Sequence, residues 1–394
     1  MSAEKYKIAM LGHKRIPSRE GGVEIVVEEL SKRMARDGHE VHAFNRSGSH
    51  VAGKEFDAAK KKEHCGICLH SIPTVENGKL NAVIYSFLAS LKALFGKYDI
   101  IHYHAEGPCA MLWIPRLFKK HIIATIHGLD WQRGKWGGFA SWYLKTGEKI
   151  AVKYADEIIV LSERHQRYFL ETYNRKTVFI PNGVTRPTLP ERTDQLQKWD
   201  LENRKYILFL ARIVPEKGLH YLLEAYKQID NQMKLVIAGS GSHTDSYLES
   251  IKEAACDDER IVMTGFVSGD ELEQLYANAY LYVLTSDVEG MSLSLLEAMS
   301  YGNCCLVSDI PENMEVVGDA CLSFRCGDIC DLAAKISWAL ANPDEISRYR
   351  SIAAEHVLSR YRWDEITDRT VALYRTAISK RKGGNTANEN SDGQ

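Results

Sequence analysis

The feature that most constrains this chain is a rhythm. Short apolar β-rich runs alternate with helical stretches, pause once, and then begin again. In the first half the runs are Lys7–Leu11, Val41–Phe44, Leu69–Ile72, Ile100–Tyr103, Ile122–Ile126, Glu157–Leu161 and Thr177–Ile180. Between the first two, Val23–Arg36 has helical character and stops at Asp37-Gly38. Their alternation with helices predicts a parallel, doubly wound α/β sheet. After Ile180 come prolines at 181, 187 and 190, many charges and little periodicity, so 186–205 is predicted to be a linker. The rhythm returns with Tyr206–Ala211, Lys234–Ala238, Ile261–Thr264, Leu281–Leu284, Cys304–Ser308 and Cys321–Phe324. Two doubly wound domains are expected, at 1–185 and 206–362, and 394 residues suffice for two cores. The polar, Gly- and Asn-rich segment 380–394 is expected to be disordered.

Ligands of such sheets bind beyond the carboxyl ends of the strands, so the loops there are where chemistry belongs. Gly12-His13-Lys14-Arg15 follows the first strand without a GxGxxG, and no GxxxxGK[ST] occurs, which argues against NAD and ATP chemistry. The nine cysteines are scattered, and the single CxxC of Cys65 and Cys68 lacks a second pair at zinc spacing. The first seven residues have no apolar segment of a signal peptide, and no run of eighteen apolar residues could span a bilayer. A cytoplasmic protein with free thiols is expected. Residues 1–190 hold 29 Lys and Arg against 19 Asp and Glu, while the chain as a whole carries a formal charge of −2. The basic half suits an anionic partner, such as a phosphate or a membrane surface, or serves only solubility.

The strongest local signal is 285–302, Thr-Ser-Asp-Val-Glu-Gly-Met-Ser-Leu-Ser-Leu-Leu-Glu-Ala-Met-Ser-Tyr-Gly, which follows a strand and opens a helix. Glu289, beside Gly290 in the loop, can accept hydrogen bonds from sugar hydroxyls. Glu297, about two turns further along the helix, can hold the hydroxyls of a ribose. Backbone N–H groups over Gly290, Met291, Ser292 and Leu293 can receive a diphosphate. An ordinary amphipathic helix with two surface glutamates fits the spacing equally well.

Glu-Gly-x(6)-Glu-Ala-Met in this position resembles the retaining family-4 glycosyltransferases of the GT-B fold. Further matches come in the family's order: Gly21-Gly22-Val23-Glu24, His127-Gly128, Pro181-Asn182-Gly183-Val184, Arg212-x(4)-Lys217-Gly218, Ala238-Gly239-Ser240-Gly241, Gly265-Phe266-Val267 and Asp309-Ile310-Pro311-Glu312. Arg15-Ile16-Pro17 and His127–Trp131 are similar to the bacterial capsule and exopolysaccharide rhamnosyltransferase branch. The resemblance implies two Rossmann-like domains facing a central cleft, with a final helix, about 363–379, packed back on the first domain. It also implies transfer of a sugar with retention from a nucleotide-sugar donor, UDP favoured and dTDP-rhamnose the rival, to a saccharide acceptor. Arg212 and Lys217 would bind the donor diphosphate and stabilise its growing charge, a fixed-cation substitute for a metal. No Asp-x-Asp is present, so neither a divalent metal nor another cofactor is expected, nor is a nucleic-acid partner. His127 would contact the donor sugar or donate a hydrogen bond near the reacting centre, a structural histidine at a strand end being the alternative. Glu315 is a further donor-domain candidate, with an exposed helix surface as its alternative.

Gly21 and Gly22 precede the first long helix, where glycine lets a phosphate approach the helix start; a tight turn is the rival explanation. His102 and His104 alternate on one strand and, with Glu106, are assigned to acceptor binding, a polar strand end being the alternative. Lys79–Lys97 and Met111–His121 are apolar stretches dotted with Lys and Arg. They fit packed helices with exposed lysines, and they also fit weak docking on the anionic inner leaflet with a lipid-linked acceptor. A GT-B epimerase, a phosphorylase and a non-catalytic nucleotide-sugar-binding scaffold subunit share the architecture. The phosphorylase would need a pyridoxal-phosphate lysine, and the Arg212, Lys217, Glu289 and Glu297 set argues against the other two.

Overall fold

A computed structural model describes residues 4–19, 21–48, 62–75, 78–132, 138–241 and 245–389. The chain divides into two compact units. The first comprises the chain up to Asn182 together with the segment from Trp363 onward, and the second runs from Gly183 to Arg362.

The first unit is built on an eight-stranded sheet: β1 (Lys7–Leu11), β2 (Glu40–Ser47), β3 (Glu63–His64), β4 (Ile67–Pro73), β5 (Ile100–His104), β6 (Ile122–Ile126), β7 (Glu157–Val160) and β8 (Val178–Phe179). They lie in the order β3-β4-β2-β1-β5-β6-β7-β8. All neighbours are parallel except β3 and β4. β5 and β6 are buried on every residue, as expected of central strands covered on both faces. β3 has no counterpart in the sequence pattern, because a two-residue strand carries no periodicity. It exists because Cys65 and Gly66 both take positive φ, 49° and 78°, and so form the two-residue turn of a hairpin. The CxxC of Cys65 and Cys68 is thus a hairpin corner, and both cysteines are free.

One face of this sheet is covered by α2 (Gly78–Leu94), α3 (Glu106–Cys109), α4 (Trp113–Leu117), α5 (Gly138–Tyr154) and α6 (Glu163–Tyr173). These helices send Tyr85, Ala89, Ala93, Cys109, Ala151 and Phe169 into a core with the strands. α1 (Gly22–Arg36) packs instead against the last helix, α14 (Trp363–Glu389). Arg33 and Arg36 both bond Asp364 at the start of α14. Lys380 pairs with Glu157 at 2.6 Å. The element runs from there to Glu389, into the segment expected to be disordered. Residues 390–394 lie outside the described residues.

The second unit holds six parallel strands, β9 (Tyr206–Leu210), β10 (Lys234–Ala238), β11 (Ile261–Gly265), β12 (Leu281–Leu284), β13 (Cys304–Ser308) and β14 (Leu322–Phe324), in the order β11-β10-β9-β12-β13-β14. Around it lie α7 (Leu219–Lys227), α8 (Asp245–Ala255), α9 (Asp270–Asn278), α10 (Leu293–Ser300), α11 (Pro311–Val317), α12 (Ile329–Ala341) and α13 (Pro343–Leu358). The linker expected at 186–205 is corrected: this stretch is packed. Asp194–Trp199 forms a 3-10 helix, Leu196 and Leu201 are buried, and Gln195 and Lys198 bond Gln274 and Glu271 of α9.

Both sheets reverse their strand order once, between β1 and β5 in the first unit and between β9 and β12 in the second. These are the places where a doubly wound sheet opens a crevice for ligand. In the first unit, α14 reaches under its crevice: the Tyr374 hydroxyl lies 2.6 Å from His102 Nδ1 on β5. Tyr374→Phe should therefore leave a fully buried ring nitrogen without its partner and cost about 1–3 kcal/mol. Chemical denaturation checks this, and an unchanged midpoint would contradict it.

Candidate active site

In the second unit the loops after β9 and β12 run side by side, since Leu281 and Tyr282 pair with Ile207 and Leu208. Their contact leaves no room for a side chain at Gly218. Its φ is +62°, and a Cβ there would stand 2.1 Å from the Thr285 carbonyl oxygen. The two loops are also tied by hydrogen bonds. Thr285 Oγ1 donates to the Lys217 carbonyl at 2.9 Å, and the Asp287 N–H donates to the Glu216 carbonyl at 3.0 Å.

This clamp brings sequence-distant charges together. Lys217 Nζ lies 2.5 Å from Glu289 Oε1, with side-chain exposures of only 14% and 8%. The same oxygen accepts from Ser286 Oγ at 2.7 Å. Ser292 caps α10 by accepting from the Leu295 N–H, while Gly290, Met291 and Leu293 are buried around it. Glu297 sits further along α10, half-buried, and accepts from the Tyr276 hydroxyl at 3.1 Å. Burial and the neighbouring Glu297 carboxylate push the Tyr276 phenol well up, so it stays a proton donor. Tyr282 of β12 places its hydroxyl 2.9 Å from Ser294 Oγ, fixing the first turn of α10 to the sheet. Arg212 is half-buried in the loop after β9. Glu315 is half-buried on α11, where its carbonyl accepts from Tyr361. Arg212, Lys217, Glu289 and the start of α10 therefore all lie in the two loops of the β9–β12 crevice, with Glu297 behind them. Tyr276 and Ser286, which orient the two glutamates, carry no sequence signal, since each acts through a partner supplied by the fold.

The first unit treats its assigned residues differently. His102, His104 and Glu106, assigned to acceptor binding, are fully buried. Both ring nitrogens of His102 are engaged, by Tyr374 and by Thr125 Oγ1 at 2.7 Å. His104 Nδ1 lies 3.0 Å from Nε2 of His127, which is itself half-buried at the end of β6. His104 thus sets the orientation of His127. Burial lowers His102 to about 3 and His13 to about 4, and it holds His104 well below its ordinary value. The cluster is neutral as a result.

Glu106 opens α3 from a strained residue, Ala105, at φ 70° and ψ 157°. Burial, then the Asp130 and Glu148 carboxylates, push its carboxyl up to about 10. Glu148 in turn accepts from Trp131 Nε1 at 3.0 Å and Tyr168 at 2.9 Å, and lies 3.2 Å from Lys145. The pair therefore braces the loop His127–Trp131. At Gly21 a Cβ would stand 2.2 Å from Glu24 Oε2. That carboxylate also accepts the Lys14 N–H at 2.8 Å; Gly22 is exposed. Among the described residues, no three His, Cys, Asp or Glu side chains gather in a way that could hold a metal ion.

Two family models match in tandem: Glycosyltransferase Family 4 over residues 20–186 and Glycosyl transferases group 1 over residues 191–356. The chain is a family-4 glycosyltransferase of the GT-B fold. Over 94% of its length and 98% of the relative's, this glycosyltransferase is 26% identical to an uncharacterized glycosyltransferase of Methanocaldococcus jannaschii. It is 30% identical to the O-antigen chain mannosyltransferase B of Escherichia coli, over 46% of this chain and 48% of that one. Its fold is that of Anabaena HepE, crystallised with UDP and glucose, with a TM-score of 0.78, 19% identity, and 94% of this chain and 100% of that one covered.

Two outcomes test this geometry. Glu289→Ala leaves the poorly exposed Lys217 ammonium without its carboxylate and should cost about 3 kcal/mol, whereas the paired change to Lys217→Met with Glu289→Leu should recover most of it. Equal losses in denaturant titrations of both variants would contradict a mutually dependent pair. The buried histidines set a pH dependence. Unfolded imidazoles take up protons near 6.5, while His13 and His102 in the folded chain resist until about 4 and 3. Below about 6.5 the unfolded state binds more protons at these histidines, so their contribution to stability falls as pH drops toward 4 and is fully present above 6.5. Thermal midpoints that stay flat between pH 7 and 5 would contradict this.

Proposed function

We propose that this glycosyltransferase moves a sugar, with retention, from a UDP-sugar to a lipid-linked saccharide in the synthesis of a cell-surface polysaccharide. The observation that carries the reading is the buried Lys217–Glu289 pair, set beside Arg212 and the start of α10 at the strand-order reversal. In this reading the donor diphosphate lies against Arg212, Lys217 and the first turn of α10. Two fixed cations and a helix start neutralise the charge that grows on the leaving group, without a divalent metal. Glu297, held by Tyr276, takes the ribose hydroxyls. Glu289 keeps Lys217 aimed and accepts from the sugar, and His127, steadied by His104, is the candidate hydrogen-bond donor of the first unit. Glu315 is kept as an outer donor-side residue.

The acceptor hydroxyl oxygen attacks the anomeric carbon on the face from which the diphosphate departs. The carbon–oxygen bond to phosphate breaks, the new glycosidic bond forms, and the acceptor proton passes to the departing phosphate oxygen. The complex of Anabaena HepE with UDP and glucose supports the donor class, and the E. coli O-antigen mannosyltransferase supports the polysaccharide role. Peripheral attachment to a membrane belongs to the same proposal, since a lipid-linked acceptor is presented there. No helix among the described residues is long and apolar enough to cross one.

Nucleoside diphosphate release measured over a donor panel, with UDP-sugars and dTDP-rhamnose as its main arms, tests the reading. A UDP-sugar should be turned over without added divalent metal and unaffected by chelator. Arg212→Ala should lower kcat by about 100-fold or more, and Glu297→Ala should act mainly by raising the donor KM. Full activity of both variants would overturn the assignment.

A further inference from the structure

Eight of the fourteen large hydrophobic side chains exposed among the described residues fall between residues 80 and 142. They lie on one face of the first unit, where α4 packs against both α2 and α5. The inward sides of these helices fill the core. The outward sides carry Phe87, Phe95, Trp113, Phe118, Phe139 and Trp142. Phe95 is 84% exposed, Leu117 71% and Phe118 63%. Phe139 and Trp142 place their rings 5.8 Å apart.

The charge of this face is one-sided. Residues 79–153 contain eleven Lys and Arg and only four acids, Asp99, Glu106, Asp130 and Glu148. Glu106 and Glu148 are fully buried, so the surface retains only two of the four. Lys92, Lys97, Lys119, Lys149 and Lys153 are exposed among the aromatic residues. The side chain of Lys79 lies outside the described residues. Two turns repeat one chemistry: Leu94-Phe95-Gly96-Lys97 ends α2, and Leu117-Phe118-Lys119-Lys120 ends α4. Each turns through a left-handed lysine, Lys97 at φ 51° and Lys119 at φ 52°. Each then leads into one of two neighbouring parallel strands, β5 and β6, so the exposed phenylalanines emerge side by side at the amino edge of the sheet.

A contiguous exposed apolar face marks a partner, and its chemistry says which kind. The core of a protein–protein interface is depleted in lysine, whereas here lysines are interleaved with the aromatics and acids are nearly absent. Aromatic rings set among lysines match the boundary of an anionic bilayer, where rings sit at headgroup depth and lysine stems reach back to the phosphates. We infer that the outward face of α2, α4 and α5, with its two Leu-Phe turns, docks this enzyme on an anionic lipid surface. The inference rests on and deepens the membrane part of the proposed function, and it uses none of the transfer residues.

Co-sedimentation of the full chain with vesicles tests it. Binding should be clear with phosphatidylglycerol mixed into phosphatidylcholine at low salt. It should fall about ten-fold or more in high salt or with phosphatidylcholine alone. The triple variant F95S/L117S/F118S and the charge variant K97E/K119E should each lose binding by a similar factor. Both should retain the wild-type thermal midpoint and the same nucleoside diphosphate release in solution. No binding to the anionic vesicles, or binding that both variants retain, overturns the inference. So does a dimer in sedimentation that the triple variant dissociates, if no vesicle binding accompanies it. Vesicle binding by a chain that releases no nucleoside diphosphate from any donor would sustain this inference and sink the transfer reading alone.

Discussion

The close approach of the β9 and β12 loops is the constraint on which the candidate site depends. Strands β9 and β12 pair in register although more than seventy residues separate them, and the sheet reverses its order between them. Gly218 meets the Thr285 carbonyl at a distance that admits no Cβ, and two further hydrogen bonds lock the loops. Lys217 and Glu289 are thereby held together with little exposure, where their attraction is screened less than at a surface. A cation fixed before the substrate arrives needs no reorganisation during reaction, which is the condition under which such charges lower a barrier most.

The first unit solves a related problem without charge. Its reversal lies between β1 and β5, where Gly12 at φ +113° would bring a Cβ within 2.1 Å of the His104 carbonyl. The histidines behind that contact are buried and neutral, and Glu106 is held protonated by its surroundings. What this cluster does physically is set positions: His104 orients His127, and Glu148 fastens the loop that follows it. The last helix belongs to this arrangement, since Tyr374 closes the bonding of His102 from a position 272 residues away in sequence.

How much of this the sequence makes legible follows from the range of each interaction. Strands such as β9 and β12 are plain because they are short runs of aliphatic and aromatic residues packed into the core. The charged motifs after β9 and β12 are equally plain, since a strand end followed by Arg212-x(4)-Lys217 or Glu289-x(7)-Glu297 places them in loops that open a crevice. What stays hidden depends on distant partners. Alternation puts His102 and His104 on one side of β5, but only the packed α14 makes that side an interior. The stretch 186–205 looks like a linker because two leucines in a polar context give no period, and the surface they bury against belongs to α9. β3 depends on a turn whose left-handed residues, Cys65 and Gly66, are not the usual Asn-Gly pair.

The central claim is that a nucleoside diphosphate binds at the β9–β12 reversal of the second unit. A crystal structure of the protein soaked with UDP tests it most directly. The account predicts diphosphate oxygens within hydrogen-bonding distance of Lys217, Arg212 and the first N–H groups of α10, with the ribose against Glu297. A nucleotide bound elsewhere, with the Lys217–Glu289 pair and Arg212 untouched by phosphate, would contradict it.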